Sequence, residues 1–236
     1  MTPAAADLFE SQDGSTEDQV NPTRPPNFVV VPNLKLSART ALPNGFSFEA
    51  FTRTAIGLAG SPFVTQVSGS SGGFGLSKSF GDWNWSTGFE IGVGYSRFYD
   101  VYSNMSYEWT TGLGRTFAFE GTPWSIGPKV TVGYRWSSDR AKERVRVELA
   151  MPVFYKINER LDAVFIPRFD HRIYSNPEAL GRRDWVGNLA VGLRYQVASG
   201  ALLSGFLAFE NRASTRPEIR YSRWIIAPQL SLRMDF

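Results

Sequence analysis

Apolar and polar residues alternate with a period of two over most of the chain from Phe28 onward. This pattern is typical of β-strands with one apolar and one polar face, and no segment carries a convincing helical period. It predicts an all-β fold. We predict eleven strands, which cover Phe28–Leu42, Phe46–Ala59, Val64–Phe80, Trp83–Phe98, Asn104–Glu120, Trp124–Trp136, Arg144–Ile157, Leu161–Tyr174, Trp185–Val197, Ala201–Arg212 and Tyr221–Phe236.

The connections between these strands alternate in length, which predicts an antiparallel up-and-down meander closed into a barrel. Tight turns carry Gly, Pro or Asn, as in Pro43-Asn44-Gly45 and Ala198-Ser199-Gly200. Between them lie longer polar loops, such as 137–143, 175–184 and 211–220. The chain therefore places short turns at one end of the barrel and long loops at the other.

The apolar face could point inward, as in a soluble sandwich or lipocalin-like barrel, or outward, as in a membrane barrel. The predicted strands exceed the common soluble length of about 5–6 residues, whereas a tilted strand crosses a bilayer in about 9–11. All seven tryptophans fall on the apolar face and most lie near a strand end, where membrane barrels carry aromatic girdles. We therefore predict a transmembrane antiparallel up-and-down β-barrel. Its predicted membrane-girdle residues are Trp83, Trp85, Trp109, Trp124, Trp136, Trp185, Trp224 and Phe236.

The last strand ends in Leu230-Ser231-Leu232-Arg233-Met234-Asp235-Phe236, with a C-terminal Phe and apolar residues at every second place. It resembles the closing strand of Gram-negative outer-membrane β-barrels. The resemblance implies a location in the bacterial cell outer membrane, contact with its lipids and lipopolysaccharide, and recognition of this strand by the barrel-assembly machinery. In size and strand number the chain is similar to small monomeric porins, such as OmpG-like barrels and oligogalacturonate-type sugar porins. No functional residue is carried over from them.

Residues 1–27 differ in composition from the rest of the chain and predict a flexible acidic N-terminal arm before a barrel at 28–236. Their carboxylates are Asp7, Glu10, Asp13, Glu17 and Asp18. Bacterial single-chain barrels have an even number of strands, so we expect twelve, with ten as the fallback. The missing strand would lie within residues 4–20, or a pair is fused or split around Val64–Phe80. Otherwise the arm itself crosses the barrel as a plug.

The polar faces are rich in arginine: 20 of the 25 basic residues are Arg. Facing the lumen, they predict an anion-preferring channel, because charges along a pore set its selectivity and Arg binds carboxylate or phosphate in a planar, bidentate way. Alternatively, the charges pair and seal the interior. The predicted pore-lining residues are Lys35, Arg39, Arg53, Lys129, Arg135, Arg146, Arg168, Arg172, Arg194, Arg212, Arg223, Arg233, Glu49, Glu90, Glu108, Glu148, Asp170 and Glu210.

Few residues of the chain are candidates for catalysis. The chain has no Cys and a single His, so we predict no metal site, no cofactor and no catalytic residues. An outer-membrane lipid- or peptide-hydrolysing enzyme would have to use Asp170-His171, where parity places His171 toward lipid and Asp170 inward. We expect no nucleic-acid binding, because the arginines alternate with apolar residues and form no exposed stripe. A barrel component of a secretion, export or structural assembly remains an alternative to a small-solute channel.

Overall fold

The computed structural model describes residues 28–59, 64–96, 101–176 and 181–236; the predicted N-terminal arm, 1–27, lies outside them. The described residues form strands and three short 3-10 segments, Pro43–Gly45, Arg140–Lys142 and Pro217–Ile219. The strands are β1 (Phe28–Val30), β2 (Asn33–Ala41), β3 (Phe46–Ala59), β4 (Val64–Phe80), β5 (Trp83–Ser96), β6 (Val101–Arg115), β7 (Phe117–Ala118), β8 (Trp124–Ile126), β9 (Lys129–Ser137), β10 (Arg144–Ala150), β11 (Val153–Lys156), β12 (Leu161–Tyr174), β13 (Arg183–Ala198), β14 (Ala201–Ser214) and β15 (Tyr221–Asp235).

None of the described helical segments is long and apolar enough to cross a membrane.

Several of these strands are short pieces of one longer strand interrupted at proline. The pairing of β1 with β15 and of β2 with β15 keeps one register on both sides of Pro32. The same holds for β8 and β9 around Pro128, and for β10 and β11 around Pro152. Proline has no N–H to donate to a ladder, so the ladder loses a bond there while the chain continues in the same direction. The described strands therefore make up eleven continuous barrel strands, each of one or two of the numbered pieces, which we call staves.

The eleven staves close into a ring through their hydrogen bonds. Each stave pairs antiparallel with its neighbour along the chain, and β10 pairs with both β9 and β12. The ring closes where the first stave meets the last, and these two run parallel, with Asn33 opposite Gln229 and Asp235 opposite Arg39. The C-terminal Phe236 N–H extends this seam by donating to the carbonyl oxygen of Arg39 at 2.9 Å.

The stave number corrects the expectation of an even count. The described residues show eleven staves, one fewer than the expected twelve and one more than the fallback of ten. In a closed meander with an odd number of strands, the first and last strands must pair in parallel. Parallel pairing is only slightly less stable per residue than antiparallel pairing. Val64–Phe80 is a single strand, so no pair is fused there. A strand within residues 4–20 would lie outside the described residues.

The predicted strand bounds agree closely with the structure away from the prolines. Phe46–Ala59, Val64–Phe80 and Leu161–Tyr174 match the observed strands. The largest difference is the predicted Asn104–Glu120: its stave begins at Val101, and its main strand ends at Arg115. Phe98 lies outside the described residues. The tight turns have the geometry that glycine allows, since Gly81 and Gly200 have φ of 60° and 79°.

The outer surface of the ring is apolar and the inner surface is polar. Along β12 to β15, exposed and buried residues alternate one by one. The exposed set includes Phe165, Val191, Leu203 and Leu230. A soluble protein would not present such a continuous apolar belt to water, so this is a transmembrane β-barrel.

Most of the predicted girdle tryptophans lie in two bands on the outer surface. Trp83, Trp85 and Trp124 lie at the tight-turn end, where Trp85 meets Phe46 edge-on and Trp124 packs on Tyr155. The long-loop band contains Trp136, Trp185 and Trp224. Trp109 lies opposite Tyr134, two residues from Trp136 toward the tight-turn end. Phe236 ends the chain at the tight-turn end and is 79% exposed.

Candidate functional site

The candidate functional site is the interior of the barrel. The predicted pore-lining residues alternate with the exposed apolar residues and so belong to the inward face of their strands. Most of those on β9 to β15 are buried, while Arg233 at the tight-turn mouth has a side chain that is 38% exposed.

Most of these side chains take part in ion pairs that form several neighbouring groups around the interior, which together we call the charge belt. At one end of it, Arg53 on β3 lies 3.5 Å from Glu90 on β5, with β4 passing between them. Glu108 on β6 then binds both Arg135 at 2.5 Å and Arg146 at 3.1 Å. The charge belt consists of Arg53, Glu90, Glu108, Arg135, Arg144, Arg146, Glu148, Arg168, Asp170, Arg172, Arg182, Asp184, Glu210, Arg212 and Arg223.

The most buried part of the charge belt lies at the long-loop end of β12 to β14. Asp170 accepts from Arg172 at 2.6 Å, and neither side chain is more than 1% exposed. Asp184 accepts from Arg182 at 2.7 Å and from Arg212 at 2.6 Å. Two arginines on one carboxylate form a rigid, charge-assisted junction that ties neighbouring strands together.

A second junction joins β14 to β15. Glu210 accepts hydrogen bonds from the Tyr221 hydroxyl and from Arg223 Nε, both at 2.9 Å. Glu210 is 1% exposed, so burial strengthens these bonds relative to the same bonds in water. With the Asp184 junction it fixes the spacing of three successive strands.

Positive charge exceeds negative charge in this interior. The buried charged residues that the structure describes are ten arginines and four carboxylates, the latter being Glu148, Asp170, Asp184 and Glu210. Glu108 is nearly buried, with 12% of its side chain exposed. Charge brought out of water needs compensation, and the described interior holds more buried positive than negative charge.

An apolar cluster lies inside the barrel next to the charge belt, and the sequence analysis did not predict it. It occupies the middle of the inner surface of β1 and β12 to β15, with Phe154 and Ala55 packed against it. Consecutive apolar residues, such as Val164-Phe165-Ile166, are the signal that could have revealed it, because such a run must place apolar side chains on both faces. Its members are Val29, Val31, Val164, Ile166, Ala190, Phe206, Ala208, Ile225 and Ala227.

The interior therefore has two unlike sides. The arginine wall is the inward face of β9 to β15, which carries most of the charge belt and most of the apolar cluster. The glycine–serine wall is the inward face of β3 to β6. Small residues pair across it: Ser71 with Gly92, Gly75 with Gly88, and Ser77 with Ser86.

Two inward carboxylates of the glycine–serine wall keep contact with solvent that buried members of the arginine wall lack. The side chains of Glu49 and Glu90 are 26% and 29% exposed, whereas those of Arg146 and Arg172 are 3% and 0% exposed. Small side chains on one side of a narrow barrel leave more space in front of them than long side chains do. The exposed space lies along β3 to β5, toward the tight-turn end.

Phe51 is the large exception on the glycine–serine wall. It faces inward opposite Gly73 and stands near two cations, with Lys35 Nζ 5.3 Å and the Arg53 guanidinium carbon 5.5 Å from its ring centroid. Lys35 also binds Glu49 at 3.0 Å. The face of an aromatic ring attracts nearby cations electrostatically, so Phe51 can stabilise both charged groups.

His171 does not meet Asp170 in a catalytic arrangement. The His171 ring packs on Trp185 with centroids 5.1 Å apart, on the outer surface. Asp170 points to the opposite face, where it binds Arg172. Adjacent residues of a strand point to opposite sides, so the Asp170-His171 pair of the hydrolase alternative is separated by the barrel wall. Within the described residues, no group of three His, Asp or Glu side chains is placed to hold a metal ion.

Arg182 and Asp184 are interior residues that the predicted pore-lining set omitted. Their signal in the sequence is a charge pair two residues apart, Arg182-Arg183-Asp184, which the predicted loop 175–184 concealed. The same spacing occurs at Arg146 and Glu148 and at Asp170 and Arg172. In a strand, residues two apart share a face, so opposite charges at this spacing indicate an inner surface stabilised by ion pairs.

No family model and no curated protein matches this chain. Among solved structures, the chain is similar to an anion-selective porin from Comamonas acidovorans, with 10% identity and a TM-score of 0.34. The match covers 78% of this chain and 56% of that porin, so the chain spans little more than half of its length. The function of this chain therefore has to be inferred from its own residues.

Proposed function

We propose that this chain is an outer-membrane channel through which small polar, preferentially anionic solutes diffuse. The observation that carries the proposal is the charge balance of the barrel interior, where ten buried arginines accompany four buried carboxylates. Charged residues along a pore set which ions enter it, and this balance favours anions.

The path runs along the glycine–serine wall. Solutes enter at the tight-turn end, where Asn84 and Ser86 are accessible, and pass Glu90 and Arg53 opposite the arginine wall. Arginine suits this place because it stays charged and offers several donors in one plane to a carboxylate or phosphate. The pairing within the charge belt holds the arginine wall in place, and its excess positive charge acts on the solute.

The outer surface supports the cellular partners that we propose. The two tryptophan bands suit the two lipid–water boundaries of an outer membrane, where lipids, including lipopolysaccharide, would surround the barrel. The barrel-assembly machinery is proposed to bind the last strand, and the position of Phe236 at the parallel seam beside Arg39 supports this.

The test is the reversal potential of the refolded full chain in a planar bilayer under a KCl gradient. We expect current with chloride favoured over potassium. Glu90→Gln should increase that preference and Arg53→Gln should reduce it, because the two form one pair beside the path. Glu218→Gln is the control, since Glu218 lies in an exposed loop segment. Absence of current from every variant, or preference for potassium in the unmodified chain, would contradict the proposal.

A further inference from the structure

We propose that a patch on the outer surface of the barrel, at the long-loop end, binds the phosphorylated sugar headgroup of a membrane glycolipid. The patch, which we call the outer polar patch, consists of Arg183, Trp185, Gly187, Asn211, Arg220 and Ser222. The site needs only the transmembrane barrel and not the channel. Its natural ligand being lipopolysaccharide rests on the outer-membrane location in the proposed function.

Strand register brings the outer polar patch together at a lipid–water boundary. Gly187 lies opposite Asn211, which lies opposite Ser222 on the next strand. Trp185 is one outward position nearer the long loops, and Arg183 is one further. Tryptophans mark the boundary between hydrocarbon and headgroups. In barrels of this class the long loops are extracellular, so the outer polar patch would face the outer leaflet.

Two exposed arginines supply the charge. Arg183 stands between the buried, inward Arg182 and Asp184, so its side chain points outward. Arg220 Nε donates to the Ser214 carbonyl oxygen at 2.8 Å, which holds the guanidinium at the end of β14 and leaves its other donors available. In the described parts of the chain, no carboxylate pairs with Arg183 or Arg220. Unlike the arginines of the charge belt, these two can bind an external phosphate.

The polarity of the outer surface changes within one row of residues. Asn211 Nδ2 donates to Ser222 Oγ at 2.6 Å, and both side chains are exposed. That bond uses one of the two amide donors, so hydrogen-bonding capacity remains for sugar hydroxyls or phosphate oxygens. The next outward row toward the tight turns holds Phe209 and Trp224, whose rings pack with centroids 5.1 Å apart. Headgroup contacts and acyl-chain contacts are therefore adjacent, as a lipid requires.

The outer polar patch also has open space. A Cβ built on Gly187 would meet no heavy atom within 4 Å, and the neighbouring outward residue Ala213 is small. On either side stand the exposed rings of Trp185 and Trp224, which are 39% and 47% exposed. An indole suits a place where one side is apolar and the other is wet. The result is a shallow recess between two rings, with the arginines at its long-loop side.

The spacing of the arginines favours a sugar headgroup over a glycerophospholipid. Arg183 and Arg220 belong to staves two apart in the ring, so their backbones are roughly 10 Å apart across β14. A glycerophospholipid with one phosphate would engage one of them at a time. A disaccharide with a phosphate at each end can engage both while its sugar rings lie over the recess.

Retention of lipid by the folded barrel tests the site without measuring current. The refolded full chain in detergent is incubated with diphosphorylated lipid A, with the same lipid after removal of both phosphates, or with phosphatidylglycerol, and bound lipid is counted by native mass spectrometry. We expect the diphosphorylated lipid to be retained several-fold more than the other two. Arg183→Gln with Arg220→Gln should remove that preference, because both side chains are exposed and the fold does not depend on them.

The matched control changes two outward cations at the opposite boundary. Lys78 Nζ and the Arg115 guanidinium carbon lie 4.6 Å and 5.6 Å from the ring centroids of aromatic residues at the tight-turn end. Lys78→Gln with Arg115→Gln should leave the retention of diphosphorylated lipid A unchanged. Only protein that keeps the heat-dependent gel mobility of a folded barrel is scored.

Filling the recess tests its shape separately from its charge. Gly187→Phe should lower retention of diphosphorylated lipid A several-fold, whereas Leu189→Phe, at the next outward position of the same strand, should not. Equal retention of the phosphorylated and dephosphorylated lipids, or an equal loss in both arginine and control variants, would overturn the proposal. A preference for phosphatidylglycerol would overturn the glycolipid as ligand. Specific retention by a barrel that carries no current would support the outer polar patch and overturn the channel.

Discussion

The two walls of the barrel use the same strand geometry for different purposes. On the arginine wall, inward positions hold long charged side chains that are nearly all buried and ion-paired, together with an apolar cluster. On the glycine–serine wall, inward positions hold mostly small residues; Glu49 and Glu90 keep partial contact with solvent, whereas Glu108 is nearly buried. One half of the ring is therefore packed like a protein core, and the other half leaves space.

This difference separates stability from conduction. A small barrel whose interior was filled on all sides would be stable and closed, whereas one lined everywhere by small residues would lack cross-strand contacts inside. Here the arginine wall provides the contacts between strands, and in the proposed channel it also provides the field that favours anions. The glycine–serine wall provides the path in that proposal. Substitutions on the two walls should then differ in kind as well as in size.

The largest effect is expected from a buried member of the charge belt. Arg172→Gln leaves Asp170 buried with its closest cation removed, which should lower the free energy of unfolding by about 3–5 kcal/mol. Arg233→Gln is the control: its pair with Asp235 is exposed at the mouth, so the loss should stay below about 1 kcal/mol. Urea unfolding in detergent or lipid, followed by tryptophan emission, measures both. Equal losses would show that the buried pair of Arg172 and Asp170 is no more important for stability than the exposed pair at the mouth.

A smaller effect is expected from adding one methyl group to the arginine wall. Gly192 faces inward, where a Cβ would overlap the backbone carbonyl oxygen of Gly205 and lie 2.5 Å from a ring carbon of Phe206. Gly192→Ala should therefore cost about 1–3 kcal/mol of unfolding free energy, because a packed interior resists added volume. Gly205→Ala, on the adjacent strand with open space around its Cβ position, should cost much less in the same urea titration. A costly Gly205→Ala with a neutral Gly192→Ala would place the packed side on the outside.

The same substitution should act differently on the two walls. Ser86→Phe on the glycine–serine wall should fold and lower single-channel current several-fold, because Ser86 borders accessible space. Ser204→Phe on the arginine wall, where the serine is 4% exposed, should instead reduce the yield of folded barrel. Gel mobility reports folding and bilayer recording reports current. The comparison fails if Ser86→Phe also prevents folding, or if it folds with full current.

Much of the fold could be predicted from the alternation of residues. A strand has only two faces, so the order of apolar and polar residues decides which side chains point in, and turn residues such as Gly81 and Gly200 mark the reversals. Strand number was harder to predict, because the parity rule assumes an antiparallel closure. The seam between β2 and β15 depends on a pairing between the two ends of the barrel that no local pattern encodes.

The interior was only partly predictable. Parity placed Arg172 and Glu210 on the inward face, but which carboxylate each arginine binds depends on register across several strands. Arg53 on β3 reaches Glu90 on β5 because the strand between them carries only Ser71 and Gly73 beside the pair, so the contact depends on small residues of a neighbouring strand. The unequal filling of the two walls is likewise a property of the assembled ring.

Charged-thiol modification during single-channel recording tests the two-wall account most directly. Single cysteines replace Ser86 on the glycine–serine wall, Ser204 on the arginine wall and Val191 on the outer surface, each in the otherwise cysteine-free chain. A negatively charged thiosulfonate added to the bath should lower the current of the Ser86→Cys channel and leave the Ser204→Cys and Val191→Cys channels unchanged. An unaffected Ser86→Cys channel, or an equal loss at Ser204→Cys, would contradict a path along the glycine–serine wall.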